Sequence, residues 1–335
     1  FGTMTQDLLA LLDWLAEWEC THVAMESTGD YWKPVFNVLE GTFEVYLVNA
    51  QHVKHVPGRK TDVTDSEWLA ELMLHGLLRP SFIPPKPQRA LRDLTRYRTK
   101  LVQERSRTVN RVQKLLEGAN IKLGSVASDV MGVSGQAMMA ELCKGQMSPQ
   151  EMAQLARGTL RNKIPELEKA LTGVVEAHHR FLLGKQLAHI DFLDEQVADI
   201  SAEIARQLEE MSAPPHTPGE GDPSRSPTTA SEPDDSVAPL TWTEAVVLLD
   251  TIPGVNVKTA ESILAEMGLD MSRFPTADHL TAWAGVAPGN HESAGKRYSG
   301  RRRKGNRPLA TTMVQAAWSA VRTKGTYLKS RYHRL

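Results

Sequence analysis

A repeat of apolar residues at intervals of three and four constrains the middle of this 335-residue chain more than any other feature. The segment from about Glu166 to Met211 carries it on Leu182, Leu187, Ile190, Leu193, Val197, Ile200, Ile204 and Leu208. The segment from Leu91 to Glu117 carries a similar set on Leu91, Leu94, Leu101, Val109, Val112 and Leu116. Such spacing places the apolar side chains on one helix face. We therefore predict two long helices that pair as an antiparallel coiled coil, either inside one protomer as a helical bundle or as a dimerisation arm.

The first part of the chain follows a different pattern, in which short apolar segments alternate with helical ones. HVAMES (His22 to Ser27) and FEVYLVN (Phe43 to Asn49) are rich in β-forming residues and predict two strands. One helix is expected over about the first eighteen residues, one between the strands, and one in TDVTDSEWLAELMLHGLL. This order of elements predicts an α/β domain with at least part of its sheet parallel.

Residues 212–240 are rich in Pro, Ser, Thr, Asp and Glu and contain almost nothing that could be buried, which predicts a disordered linker. We therefore expect an α/β domain over 1–85, a helical region over 86–211 and a further, mostly α domain over 241–335. Two cysteines, Cys20 and Cys143, argue against a disulfide scaffold and indicate a reducing, cytoplasmic location. No segment approaches the roughly 20 apolar residues of a membrane span, and no signal-peptide pattern opens the sequence.

The charge of the chain is balanced overall but uneven along its length. From His291 to Leu335 there are twelve basic residues and one acid, Glu292, which leaves eleven excess positive charges. The candidate phosphate-binding residues in this segment are Lys296, Arg297, Arg301, Arg302, Arg303, Lys304 and Arg307. Such a cluster suits nucleic acid, although a run like RRRK also occurs in RNA-binding and localisation patches.

The segment LLDTIPGVNVKTAESILAEMG, which follows the linker, has the pattern of a helix-hairpin-helix. An apolar helix is followed by a turn containing Pro253 and Gly254 and by a second helix rich in Ala, Ile and Leu. The glycine turn of such hairpins lets backbone N–H groups at a helix N-terminus bind a phosphate, which makes Gly254 and Lys258 candidate contacts. A tight structural hairpin without a ligand explains this segment slightly better on its own.

Three carboxylates could form a metal site. Glu26 ends a predicted strand, and Asp62 and Asp65 begin a predicted helix, where they share a face at i and i+3. Carboxylates converging from a strand end and a helix can hold divalent cations for phosphoryl transfer. The alternative is local, because acids favour the first helical turn and Thr64 with Glu67 also fits a capping box.

The segment GVAPGNHESAGKRYSGRRRKGNRPL places two candidate nucleophiles, Ser293 and Ser299, in a predicted Gly- and Ser-rich loop beside the basic cluster. An activated serine can form a covalent phosphoester if neighbouring cations neutralise the phosphate charge. A solvated basic loop that only holds phosphate would have the same composition.

Taken together, these segments are far more specific than each is alone. Their order is MESTGDYW, VNAQHVKHVPGRKTDVTDSEWLAELMLHGLL, RDLTRYRTKLVQERSRTVNRVQKLLE, IPGV, KTAESILAEMG, FPTADHLTAWAGVAPGNHESAGK and RKGNRPL. In this order the chain resembles the DEDD transposases of the insertion-sequence one-ten family over nearly its whole length, apart from the acidic linker.

The resemblance implies a RuvC-like, RNase H-like N-terminal domain, a coiled-coil middle and a transposase domain with a helix-hairpin-helix. It also implies a DNA recombinase that needs Mg²⁺ and works as a homo-oligomer, a dimer or tetramer, with a structured bridge RNA choosing donor and target DNA. By similarity, Glu26, Asp62 and Asp65 are the last three of four metal-binding carboxylates. Ser293, in E-S-A-G-K, matches the catalytic serine better than Ser299 does.

The sequence departs from the family at its ends. The family's first Asp lies on an initial strand in a stretch like G-I-D-x-S-K, which has no counterpart here, so we expect this sequence to begin after that strand. Family members also usually continue beyond the last helix. Two alternatives stay open: a metal-dependent junction-resolving nuclease that uses only the carboxylates, and an inactive remnant that binds nucleic acid.

Overall fold

The architecture was analysed in a computed structural model that describes residues 1–49, 62–213, 240–289, 291–302 and 304–334. For residues 62–65, 291, 293 and 297–299 only the backbone is described. The chain divides into two compact units, Phe1–Pro85 and Lys86–Leu335, which are described separately below. The predicted linker over 212–240 lies almost entirely outside the described residues.

The first unit has the predicted order of helix, strand, helix, strand and helix. Its elements are α1 (Thr5–Glu17), β1 (His22–Glu26), α2 (Trp32–Leu39), β2 (Glu44–Val48) and α3 (Asp62–Leu74). The strands pair in parallel with His22 opposite Glu44 and Glu26 opposite Val48, which confirms the predicted parallel pairing. Leu72 of α3 is buried against Val48 and packs near Ala24, so α3 covers this two-stranded sheet.

Two long helices form the frame of the second unit. They are α4 (Lys86–Gly118), of 33 residues, and α9 (Ala177–Ser212), of 36 residues. Leu91 near the start of α4 packs with Leu208 near the end of α9, whereas Val112 packs with Leu183, so the helices are antiparallel within one chain. No helix in the described part of the chain is both long and apolar enough to cross a membrane.

The predicted second helix was too long at its start. Glu166 belongs to a separate short helix, α8 (Ile164–Ala170), and α9 begins only at Ala177. Between them the backbone leaves helical geometry, because Val174 N–H donates to the Ala119 carbonyl at the end of α4 and Ala170 accepts from Lys122 N–H, each at 2.8 Å. These contacts join positions far apart in sequence, which a repeat of apolar residues cannot reveal.

Short helices close one end of the long pair. They are α5 (Leu123–Val126), α6 (Val133–Lys144), α7 (Pro149–Ala153), a 3-10 helix (Gly158–Lys163) and α8. Their apolar residues, among them the fully buried Met138 and Met139, form one core with Val112 of α4 and Ile190 of α9. Cys143 lies beside this core, and both it and Cys20 are free thiols. We call this part of the second unit the helical cap.

The other end of the long pair carries the C-terminal elements. They are α10 (Trp242–Asp250), α11 (Val257–Met267), a 3-10 helix (Met271–Arg273), α12 (Ala277–Ala284), β3 (His291–Ser293), β4 (Lys296–Ser299), α13 (Arg307–Arg322) and α14 (Tyr327–Tyr332). The predicted helix, turn and helix over α10 and α11 is confirmed. Ala245 and Leu264 of this hairpin share a core with Leu91, Ile204 and Leu208, so the hairpin packs on the long helices.

Candidate functional site

The predicted carboxylates lie at the ends that the sequence assigned to them. Glu26 is the last residue of β1, at the carboxyl edge of the parallel pair, and is partly buried. Thr28 Oγ1 donates to Glu26 Oε1 at 3.2 Å. Asp62 and Asp65 occupy the first turn of α3, but their side chains lie outside the described residues. Convergence of the three carboxylates therefore stays a prediction.

The serine segment is a β-hairpin, so the predicted loop was wrong in its secondary structure. β3 and β4 are antiparallel, and Ser293 lies opposite Lys296 across a two-residue turn. Both turn residues have positive φ, 51° at Ala294 and 72° at Gly295, as hairpin turns of type I′ require. Glycine at the second central position is the local signal that could have predicted this hairpin. The Ser293 and Ser299 side chains lie outside the described residues.

The hairpin is closed at its base by close backbone contact. A Cβ atom on Gly289 would lie 2.0 Å from the Arg301 carbonyl oxygen, so only glycine fits there. Beyond the basic run, Asn306 N–H donates to the Trp283 carbonyl at 3.2 Å. The candidate basic residues Lys296, Arg301, Arg302, Lys304 and Arg307 are exposed, whereas the side chain of Arg297 and the whole of Arg303 lie outside the described residues.

A buried carboxylate, Glu266, connects this segment to the long helix α4. Arg96 of α4 binds it through two hydrogen bonds, Nε to Oε1 at 2.6 Å and Nη2 to Oε2 at 2.8 Å. Asn306 Nδ2 donates to Glu266 Oε2 at 2.7 Å, while Asn306 Oδ1 accepts from Leu309 N–H and caps α13. The Glu266 side chain is only 3% exposed, so α4, α11 and α13 meet at one desolvated charge.

Two further arginines of α4 strengthen this junction. Arg92 Nε donates to the Ala265 carbonyl at 2.9 Å, and burial lowers the pKa of Arg92 to about 10, which leaves it charged at neutral pH. Arg98 pairs with Glu261 at 2.5 Å, with both side chains less than a tenth exposed. Sequence analysis missed these pairs, although Arg98 follows the apolar stripe of α4, seven residues after the buried Leu91.

The predicted helix-hairpin-helix glycine has a packing role. Gly254 has a φ of +89°, and a Cβ atom there would lie 2.4 Å from the Ala316 carbonyl oxygen and 2.5 Å from the Ala320 nitrogen of α13. The turn therefore rests directly on the α13 backbone, as the structural interpretation of the hairpin expects. Lys258, in the first turn of α11, is exposed, and the phosphate contact of Gly254 and Lys258 stays a prediction.

Gly254→Ala is expected to lower the free energy of unfolding by about 2 to 4 kcal/mol, because it adds a steric clash to the strain of positive φ. Gly325→Ala is the matched control, since Gly325 has a φ of +75° but no neighbouring atom within 4 Å of the point where a Cβ would lie. The control should lose only about 1 to 2 kcal/mol. Chemical denaturation measures both, and equal losses would contradict the packing of Gly254 on α13.

One group of potential metal ligands in the described residues lies away from the predicted carboxylates. Glu176, His178 and His179 place their ligand atoms within 4.8 Å of one another at the start of α9. His179 Nδ1 already accepts the Glu176 N–H at 3.2 Å, which caps the helix. A cation would also meet the positive end of the helix dipole there, so this group has a structural explanation.

Family models match both ends of the chain. Residues 1–121 match a DEDD model of the IS110 type described as "Transposase", and residues 246–333 match "Transposase IS116/IS110/IS902 family". The first match contains Glu26, Asp62 and Asp65, and the second contains Ser293 and the basic segment. These matches place the chain in the class of transposases.

Curated proteins agree with this class. The chain is 40% identical over 76 residues to "Insertion element IS110 uncharacterized 43.6 kDa protein" of Streptomyces coelicolor, which covers 22% of this chain and 18% of that relative. It is 23% identical over 304 residues to "Probable family 20 transposase" of Pseudomonas aeruginosa, over 90% of this chain and 71% of that relative. The chain belongs to the IS110 (insertion-sequence one-ten) family of transposases.

Proposed function

We propose that this protein is a DNA recombinase that cuts and rejoins DNA through Ser293, with a divalent cation, Mg²⁺, held by Glu26, Asp62 and Asp65. The observation that carries the proposal is the presence of two transposase matches on one chain, one over the carboxylates and one over the serine hairpin. We infer that residues 1–85 form a RuvC-like domain of the RNase H type and residues 241–335 the transposase domain, joined through the helical region 86–211 and the linker 212–240.

The residues present fit a divalent cation. Glu26 lies at the carboxyl edge of the sheet, its carboxylate is bound by the neutral Thr28 hydroxyl, and it forms no ion pair with a described residue. Carboxylate oxygens are the ligands that Mg²⁺ prefers. A bound ion would neutralise phosphate charge and lower the pKa of a coordinated hydroxyl or water.

The serine step conserves bonds. The Ser293 oxygen attacks the scissile phosphorus and forms a phosphoester as the bond to a deoxyribose oxygen breaks. The proton lost by the serine is balanced by one gained by the leaving oxygen, and attack by the corresponding hydroxyl of another DNA end restores the serine. Lys296, opposite Ser293 in the hairpin, and the exposed arginines after it would neutralise the phosphate charge.

The proposed partners are donor and target DNA, a structured guide RNA that selects them, and further copies of the chain. Carboxylates and serine lie on different units of the chain. A dimer or tetramer would let the two halves of one active site come from different protomers.

The function is tested by a strand-exchange assay with labelled donor and target DNA, the guide RNA and the full-length protein. We expect joined products that need both RNA and Mg²⁺ and that are lost in Glu26→Gln, with Glu44→Gln on β2 as an exposed control that retains activity. Cut but unjoined DNA without an adduct would instead support a junction-resolving nuclease. Binding without cleavage in every condition would support an inactive remnant.

Nucleic-acid binding is expected to fall steeply with salt, because neutralised phosphates release counterions. Removing Arg301, Arg302 and Arg303 together should reduce the slope of log affinity against log salt by up to about three contacts. Removing Arg161, Lys163 and Lys169 of the helical cap should leave it unchanged. A binding titration over a range of salt measures both, and an unaltered slope in the first variant would show that this cluster does not touch the nucleic-acid backbone.

A further inference from the structure

The outer face of α4 carries a row of cations that the proposed recombination chemistry does not use. We call the row Lys100, Arg107, Arg111 and Lys114 the α4 stripe. Their spacing of seven, four and three residues places all four on one helix face. All four side chains are exposed, with Arg107 at 66% and Arg111 at 57%.

The α4 stripe faces away from the rest of the second unit. The buried residues of α4 that pack the opposite face are Leu91, Thr95, Arg98, Thr108, Val112 and Leu116. Their positions are turned by about half a helical revolution from the stripe, at 3.6 residues per turn. The stripe therefore lies opposite the seam with α9, where no intramolecular packing accounts for it.

The acid content of this stretch is too low to neutralise it. Glu104 is the one acidic residue from Lys100 to Lys114, and it binds two arginines. Arg107 Nη1 lies 3.2 Å from Glu104 Oε2, and Arg111 Nη1 lies 3.4 Å from Oε1. Four cations and one acid leave three excess positive charges, while Glu104 limits the freedom of both arginines.

The other side chains of this face indicate the kind of partner. Gln103 and Asn110 are exposed beside the stripe, and Val102, the exposed large apolar residue of the described stretch 100–114, lies on another side of the helix. A protein partner would require an apolar centre. Arg, Lys, Asn and Gln without apolar neighbours are instead the side chains that contact phosphate oxygens.

We propose that the α4 stripe is a binding surface for the phosphodiester backbone of duplex nucleic acid, additional to the basic segment after His291. The stripe extends about 21 Å along the helix, from its rise of 1.5 Å per residue. That length matches about six phosphates along one strand. The inference rests on the proposed nucleic-acid function and extends it to a second site that binds without reading base sequence.

The test replaces all four stripe residues by glutamine in the full-length protein and measures binding to a 20-base-pair DNA duplex and to an RNA stem of equal length. We expect at least a tenfold loss of affinity at low salt and a slope against log salt that is reduced by up to about three units. A matched control replaces Arg157, Arg161, Lys163 and Lys169, exposed cations of the helical cap, and should lose less than about threefold.

Loss with the DNA duplex alone, with the RNA stem alone or with both supports the stripe and identifies its partner. Equal losses in stripe and control variants, or none with either probe, would overturn it. Wild-type protein that binds neither probe would remove the proposed nucleic-acid function together with the stripe, whereas normal wild-type binding with an unchanged stripe variant would remove the stripe alone.

A second variant changes affinity in the direction that misfolding cannot produce. Glu104→Gln removes the acid between the cations and should strengthen binding to the same probe about two- to fivefold at low salt. Weaker or unchanged binding in this variant would contradict the stripe. Thermal melting of every variant should match wild type, since the replaced side chains lie on the exposed face.

Discussion

Ser293→Ala is expected to abolish the covalent protein–DNA adduct and strand exchange while leaving DNA binding nearly intact. Ser293 directly precedes the Ala294-Gly295 turn, whose small residues let a scissile phosphate approach the backbone closely. If the serine only donated a hydrogen bond to phosphate, its loss would cost about 0.5 to 1.5 kcal/mol of binding. Loss of a nucleophile removes the covalent product altogether, which denaturing gels with labelled DNA detect.

Ser299→Ala is the matched control for this experiment. Ser299 also precedes a glycine and lies at the far end of β4, nearer the arginine run, but outside the E-S-A-G-K stretch. We expect this variant to retain the adduct. An adduct that persists in Ser293→Ala, or one that disappears only in Ser299→Ala, would contradict the assignment of Ser293.

Glu266→Ala is expected to have the largest effect on stability, a loss of about 3 to 5 kcal/mol. The substitution leaves Arg92 and Arg96 without their carboxylate at a nearly dry junction and removes an acceptor from Asn306, the N-cap of α13. Three helices would lose their common contact at once. Chemical denaturation followed by circular dichroism measures the change, and Glu266→Gln should lose less because it retains one acceptor.

Glu203→Ala separates burial from ion pairing. Glu203 makes the same two-bond pair with Arg206, at 2.8 and 2.6 Å, but on the surface of α9, where the two side chains are 38% and 54% exposed. Solvent screens such pairs, so we expect a loss of about 1 kcal/mol or less. Equal losses for Glu203→Ala and Glu266→Ala would show that the buried junction has no special role in stability.

The elements that the sequence predicted well depend on local patterns. The two strands before Asn49, the helices around them and the antiparallel long pair follow from periodicities of two and of three to four residues. The helix, turn and helix around Gly254 follow from a Pro-Gly turn between apolar helices. The class of transposase was reached in the same way, from the order of short segments along the chain.

The tertiary structure decided features whose causes lie far apart in sequence. The end of α8 depends on hydrogen bonds to the end of α4, and the need for glycine at Gly254 comes from the backbone of α13. Arg96, Glu266 and Asn306 come from three helices, and no local pattern distinguishes them from solvated charges. A periodicity reports which face of a helix is apolar, but burial of a charge depends on what packs against that face, and only the folded chain supplies the partner.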